Sequence, residues 1–290
     1  MKHAFIRTHL AGRYPLGVCC RVLGLSRSGY YHALRRPLAP RRVRREFLAD
    51  LVRRVHHDTH GVYGSPRLCR ELRRRGVAIC RNTTAKIMRE SGLCSRRCRR
   101  FRPRTTDSSR TLGPAPNLLR GMARPDGPRR VWVADITYIR TAGGFVYLAA
   151  VMDLFSRRIV GWSLGNTLAP MLAVRALRAA VAGHPPPAGL VHHSDRGIQY
   201  DSLAYRAELA DLRMVQSMSR KGDCYDNAAM ESFFATLKTE LIGDTVYPDI
   251  QTAHDSVLLY IDGFYNRLRL HSSIGYRPPI LAEALPSLPS

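Results

Sequence analysis

Three acids set far apart in the chain, Asp135, Asp195 and Glu231, have the surroundings and spacing to do chemistry together. Asp135 lies in Val131-Trp132-Val133-Ala134-Asp135-Ile136-Thr137-Tyr138-Ile139, whose β-branched and aromatic residues read as a buried strand. Asp195 ends the short apolar run Gly189-Leu190-Val191-His192-His193-Ser194-Asp195, and Glu231 sits in the helical stretch 225–234. A carboxylate within or at the tip of an apolar strand carries a large desolvation cost unless something neutralises it. Hard divalent cations do this, because Mg²⁺ takes oxygen ligands, usually a few carboxylates together with substrate phosphates. Strand, strand end and helix would each bring one acid to a shared point. Taken singly, each acid reads as a capping, turn or solvated residue; it is the set that points to metal chemistry. Asp153, just ahead of the turn-like Ser156-Arg157-Arg158, competes for a place and reads as a structural acid near the same sheet.

Charge identifies the partner. The chain carries 46 Lys and Arg against 22 Asp and Glu, a net +24. Residues 1–130 hold 32 basic and 7 acidic side chains, whereas 131–290 hold 14 and 15, so the whole excess belongs to the N-terminal part. Such asymmetry is the footprint of a phosphate-binding region. Arginine dominates, and its planar fork pairs with phosphate oxygens and guanine edges. The near-neutral second half argues against a general solubility device. The arginines lack the continuous apolar face of a membrane-surface helix, and no apolar stretch reaches bilayer length. Seven cysteines, an odd number, follow no secretory signal, which predicts reduced thiols and a cytoplasmic protein. Cys94 and Cys98 with His192 and His193 make a poor zinc set, lacking a second pair at finger spacing.

The elements that must position these residues follow from pattern. Residues 16–23, a Gly-containing turn and 28–34 read as helix-turn-helix, with Ser26 or Ser28 as cap. A second unit runs from Gly64 to Leu72, turns near Gly76-Val77 and resumes at Asn82 as N-cap. Pro66 suits its first turn. Residues 41–55 form a basic helix. From Cys94 to Arg130 the Arg, Pro, Gly, Ser and Thr content is that of a linker, here a basic strap along DNA. Strands are expected at 131–140, 144–152 and 157–164, at hairpin spacing, then a helix over 169–182. The strand ending at Asp195, a helix at 203–210, a strand at 213–217 and the Glu231 helix follow. A last helix over 251–267 precedes a peripheral Pro-rich tail. The expected segments are therefore 1–40, 41–93, 94–130, 131–245 (the catalytic core) and 246–290.

Several motifs carry a resemblance. They are Trp132-Val133-Ala134-Asp135-Ile136-Thr137-Tyr138, His193-Ser194-Asp195-Arg196-Gly197-Ile198-Gln199-Tyr200, Glu231-Ser232-Phe233-Phe234-Ala235-Thr236-Leu237-Lys238 and Tyr265-Asn266-Arg267-Leu268-Arg269-Leu270-His271. With them the chain resembles the DDE transposases of two-reading-frame bacterial insertion sequences (OrfB type), whose core is similar to that of retroviral integrases. Asp223 and Met230 are small departures from that pattern and leave the acids untouched. The resemblance implies an α/β ribonuclease H-like core, a mixed five-stranded sheet with helices, preceded by all-α helix-turn-helix modules. It implies that Asp135, Asp195 and Glu231 are catalytic metal ligands for Mg²⁺ or Mn²⁺, as two ions. The expected activity is strand cleavage and strand transfer on insertion-sequence ends and target DNA. The expected partners are DNA, further copies of the chain in a synaptic complex, and an upstream-frame protein or fusion.

Lys238, seven residues after Glu231, returns to the same helix face after about two turns. It either holds a phosphate there or is an exposed helical lysine. Arg196, Arg220, Lys221 and Arg67 are the other DNA-contact candidates, with His192 and His193 beside Asp195. Asn227, one turn before Glu231, either supports the metal ligands from behind or caps the helix, and reads better as the cap. Two other functions compete: a non-enzymatic DNA-binding regulator, which would not require the acid triad, and a ribonuclease H-type nuclease, which leaves the N-terminal modules unexplained.

Overall fold

Val131 to Ala134 are buried because β1 (Val131–Thr141) is the central strand of the sheet. In a computed structural model of the protein, which describes residues 2–35, 39–96, 115–219 and 227–284, β1 pairs antiparallel with β2 (Gly144–Asp153). β2 pairs in turn with β3 (Ile159–Gly165). On its other side β1 runs parallel to β4 (Val191–Ser194), which runs parallel to β5 (Val215–Met218). The order β3-β2-β1-β4-β5 is the mixed five-stranded sheet expected, and the strand limits fall within two residues of those read from the sequence.

The chain divides into two compact units, Met1–Arg54 and Val55–Ser290. The expected boundaries at 40, 93, 130 and 245 do not coincide with this division. In the first unit α1 (Lys2–Phe5), α2 (Leu16–Val22) and α3 (Arg27–Arg35) gather Ile6, Cys19, Cys20 and Tyr30 into a small core. Ser26 is the cap of α3, its Oγ accepting from the Gly29 N–H at 2.9 Å. The basic helix α4 (Pro40–Asp58) runs across the division.

In the second unit the helices α5 (Ser65–Arg74) and α6 (Arg81–Glu90) bury Leu68, Leu72, Ile87 and Met88. Cys80, not Asn82, caps α6, its Sγ accepting from the Thr83 N–H at 3.4 Å. This pair is bonded to a segment far along the chain. The Tyr63 hydroxyl accepts from the Leu270 N–H at 2.7 Å and donates to the Leu268 carbonyl at 3.2 Å, tying it to the C-terminal segment.

α7 (Pro170–Gly183) covers β3 and supplies Leu172, Ala176, Leu177 and Ala180 to a core shared with Trp132, Val151, Tyr200 and Tyr205. Its close approach depends on Gly161. A Cβ there would strike the backbone nitrogen of Ala180 and would sit 2.5 Å from the carbonyl oxygen of Ala176. Backbone cannot move aside as a side chain can, so Gly161→Ala is expected to lower unfolding free energy by about 1–3 kcal/mol. Urea denaturation measures it, and an unchanged midpoint would show that α7 shifts freely.

Two expectations of looseness fail. The second half of the supposed linker is docked on the core. The Leu118 N–H donates to Ser217 Oγ at 2.9 Å, the Met218 N–H to the Pro116 carbonyl at 3.3 Å, and Arg124 to the carbonyls of Phe155 and Ser273. The C-terminal tail is not peripheral either. After α8 (Leu203–Asp211), α9 (Ala228–Leu237) and α10 (Ile250–Leu258), the chain buries Asn266, Arg269, Leu270 and His271. The Asn266 amide both accepts from Ile159 N–H and donates to its carbonyl, each at 3.0 Å, clasping β3. The last helix, α11 (Pro279–Ala284), pairs Glu283 with Arg158.

Candidate active site

Register brings the first two acids together. β1 and β4 pair Ala134 with Ser194, so Asp135 and Asp195 are the next residues along two adjacent parallel strands. Glu231 is delivered by α9, whose start is tied to β1: the Asn227 side-chain amide donates to the Ala134 carbonyl at 3.4 Å. The Glu231 N–H donates to the Asn227 carbonyl at 3.1 Å, placing the third acid one turn into the helix. Asn227 thus stands at the cap position but forms no side-chain cap; it anchors the helix to the residue before Asp135.

Burial raises the Asp135 carboxyl far above its ordinary range, and the charge of Asp195 adds to this. Glu231 pushes in the same direction, while the Ile136 N–H and Lys238 oppose it. Asp195 is also raised by burial, against one N–H from Gly197 at 2.9 Å. All three charges act within one small region. Gly197 is needed there, since a Cβ would lie 3.0 Å from both Asp195 Oδ1 and Gln199 Oε1. Among the described residues no three His, Cys, Asp or Glu side chains stand close enough to form a finished metal cage. The donor set is oxygen-only and two of its members are half-buried, which suits a hard divalent cation and not a zinc thiolate site.

Lys238 is close to this centre, two α-helical turns after Glu231. It stands at the C-cap of α9, still in helical conformation, where a π-helical turn running to Ile242 begins. Its Nζ lies 4.4 Å from the ring centre of Tyr138 on β1, and its charge favours ionisation of Asp135. Arg196 is partly buried, its Nε donating to the Ser219 carbonyl at 2.6 Å, which closes the loop after β4 onto the end of β5. Arg67 faces inward: its Nε donates to the Leu270 carbonyl at 3.0 Å and its Nη1 is 3.9 Å from Glu240. Arg220 and Lys221 lie outside the described residues.

His192 and His193 are not at the surface. Both are buried, at 3.0 Å from the Tyr205 hydroxyl and 2.8 Å from Ser217 Oγ respectively. Burial drives His192 down to about 3, so it is neutral. They cannot join Cys94 in a zinc set, and Cys19, Cys20, Cys69, Cys80 and Cys94 are free thiols. Asp153 is structural, accepting from the N–H groups of Arg129 and Ser156 and from the Ser156 hydroxyl at 2.7 to 2.9 Å.

Two features escaped sequence reasoning. Tyr200 is buried, its hydroxyl has no hydrogen-bond partner, and it feels the charges of Asp135 and Asp195. Glu240 and Arg269 form a bidentate ion pair at 2.8 and 2.7 Å. The same Glu240 oxygen that receives Arg269 Nε accepts from the Tyr260 hydroxyl at 2.8 Å. Behind it Tyr265 packs edge-on against Phe233 of α9, with ring centres 4.8 Å apart. The C-terminal motif therefore fixes the helix that carries Glu231.

Similarity to known proteins agrees with this arrangement. The Integrase core domain family matches residues 125–224, a second Integrase core domain family matches 212–279, and the HTH-like domain family matches 42–102. Transposase InsF for insertion sequence IS3A of Escherichia coli (strain K12) is 37% identical over 281 residues, which is 96% of this chain and 97% of that protein. The chain belongs to the IS3-family transposases. Another relative, the Insertion element IS600 uncharacterized 31 kDa protein of Shigella sonnei, is 40% identical over 260 residues, 90% of this chain and 95% of its own length. Among solved structures, the simian T-cell lymphotropic virus intasome in complex with PP2A regulatory subunit B56 gamma matches with a TM-score of 0.48 and 16% identity, over 82% of this chain and 76% of that one. As a transposase with an integrase core and an HTH-like region, the protein binds DNA and serves DNA transposition and integration. No helix among the described residues is long and apolar enough to cross a membrane.

Proposed function

We propose that the transposase cuts and joins DNA at a centre built from Asp135, Asp195 and Glu231, acting as ligands for Mg²⁺ or Mn²⁺, as a pair of ions. The convergence of two half-buried carboxylates and a helix-borne third carries this reading. Bound divalent ions would activate the attacking oxygen, stabilise the leaving oxygen and neutralise the phosphate between them. In a first step water attacks a phosphodiester at the element's end and a 3′-hydroxyl leaves. In a second, that hydroxyl attacks a target phosphodiester, joining the strands and releasing a new 3′-hydroxyl. Both are in-line displacements at phosphorus, so one centre serves both.

The chain's own groups do the positioning. Asn227 and Phe233 hold α9 so that Glu231 keeps its place. Lys238 offers its ammonium to a phosphate beside the acids. Arg196, Arg220 and Lys221 contact the strand nearby. The basic helical regions grip the terminal repeat, in an assembly of several copies and with an upstream-frame partner or fusion, in the cytoplasm. The test is a cleavage and strand-transfer assay on the element's own terminal repeats, with Mg²⁺ and with chelator. Metal-independent cleavage would overturn the reading.

Lys238→Ala is expected to slow joining roughly ten- to a hundred-fold, the equivalent of about 1.5–3 kcal/mol for a charge-assisted hydrogen bond. Lys238→Arg should restore part of it, keeping the charge but not the geometry. Single-turnover joining at saturating DNA measures this. A rate within about twofold of the parent would remove Lys238 from the joining step.

A further inference from the structure

α9 and the turn that follows it present a second side. Glu231 is held toward the acids, whereas Ser232, Thr236 and Thr239, at three- and four-residue spacing, line a cavity of about 510 Å³. Its other walls bring in Arg67 from α5, Arg96 and Arg269. Among the described residues that line it, Glu240 is the one acid, and it is already committed. Both its oxygens are taken by Arg269, and one of them also by Tyr260. Arg67 approaches it no closer than 3.9 Å, and Arg96 reaches only its backbone carbonyl, at 2.9 Å. Arg67 and Arg96 thus bring guanidinium charge that the one carboxylate, paired with Arg269, does not match. Burial and the neighbouring charge of Arg269 push Arg67 below the usual guanidinium range.

A cavity with surplus guanidinium charge and a row of hydroxyls is built for a phosphate, and its volume is ample for one with an attached sugar. Its position says which phosphate. Ser232 and Glu231 are adjacent on a helix about 10 Å across. A phosphate held here therefore stands on the order of 10 Å from the acids, about three steps along a strand rising 3.4 Å per nucleotide. We propose that this cavity is a register site, holding a backbone phosphate of the DNA strand about three nucleotides from the bond that reacts. The proposal rests on the transposase reading above and adds a contact that sets which phosphodiester reaches the metal centre.

The experiment uses the full chain and a terminal-repeat duplex of about 30 base pairs, in which single phosphates near the end are replaced by neutral methylphosphonates. Arg96→Ala and Ser232→Glu alter exposed side chains and should leave the fold intact, which their melting temperatures check. Ser232→Glu should weaken binding tenfold or more, Ser232→Ala less than twofold. Arg96→Ala should weaken binding and reduce the slope of log affinity against log salt by about one. A methylphosphonate about three nucleotides from the cleaved bond should weaken parental binding, with no further loss in Arg96→Ala. The proposal is overturned if both variants bind within twofold of the parent at the parental slope, or if the methylphosphonate penalty persists in full in Arg96→Ala. Inorganic phosphate that raises the parental melting temperature at constant ionic strength, with DNA binding unchanged in both variants, would mark a free-anion site and also overturn it. A parent that cleaves its ends with Mg²⁺ while the variants bind normally sinks the register site alone. A parent that cleaves with no divalent ion present sinks the transposase centre instead.

Discussion

Asp135→Asn is expected to abolish strand cleavage and joining while making the metal-free protein more stable. The catalytic loss follows from removing a metal ligand, and DNA binding should survive because the basic helical regions are untouched. The stability gain follows from burial. The folded chain holds a proton on Asp135 more tightly than the unfolded chain does, so the parent loses stability as pH rises from the unfolded carboxyl range, about 4, toward the raised folded value. The Asn variant has no such slope. The two should therefore melt alike near pH 4 and diverge toward neutrality, with the variant ahead by about 0.5–2 kcal/mol, a typical gain from relieving a strained active site. At about 2–4 °C per kcal/mol this is a readable shift in melting temperature. Saturating Mg²⁺ should raise the parent and not the variant. Joining activity in the variant, or a variant that melts below the parent at pH 7.5 in chelator, would remove Asp135 from the proposed centre.

Arg269→Ala should be among the most destabilising single changes in the chain, by about 3–5 kcal/mol, because it strands the buried Glu240 carboxylate without its partner. Glu240→Ala should cost a similar amount for the converse reason. Replacing both with apolar residues of similar volume removes the stranded charge, so the double variant should recover much of the loss. Denaturation of parent, singles and double closes the cycle. Strictly additive losses would mean that the two do not act as a pair. The recovered double variant also separates roles: if it folds but joins DNA slowly, the pair positions α9 as well as stabilising it.

The catalytic half was legible because its signals are local. The apolar run of β1, the acid at the end of β4 and the Gly at 197 each occupy one short stretch whose pattern names its element. What was misread depends on partners distant in sequence. Leu270 meets Tyr63 across 207 positions and Arg269 meets Glu240 across 29, so nothing in the tail itself marks it as buried. Residues 115–130 have the composition of a linker, but composition does not record that Pro116 and Leu118 bond to the β5 edge. Asn82 lies inside α6, which begins at Arg81, so the cap position falls to Cys80, whose thiol gave no cap signal in the sequence. Arg67 carries the charge of a DNA contact, but its bond to the Leu270 carbonyl, 203 positions away, could not be read from its own segment.

The wide turns after α9 and α10 bear on which length changes the gene can absorb. Both helices pass into π-helical turns, 238–242 and 259–265, and these meet where Tyr260 donates to Glu240. A π turn holds an extra residue relative to an α turn, so losing one codon in either segment lets the helix rewind as α with the later residues still on the same face. A regular α-helix has no such reserve: losing one residue from α9 ahead of Phe233 would turn that ring by about 100° around the axis, away from Tyr265. The two spans are therefore places where the coding sequence can shorten by one residue, provided Glu240 and Tyr260 are kept. A copy of this insertion sequence that has lost one codon within α9 itself should yield a misassembled protein, even with all three acids still encoded.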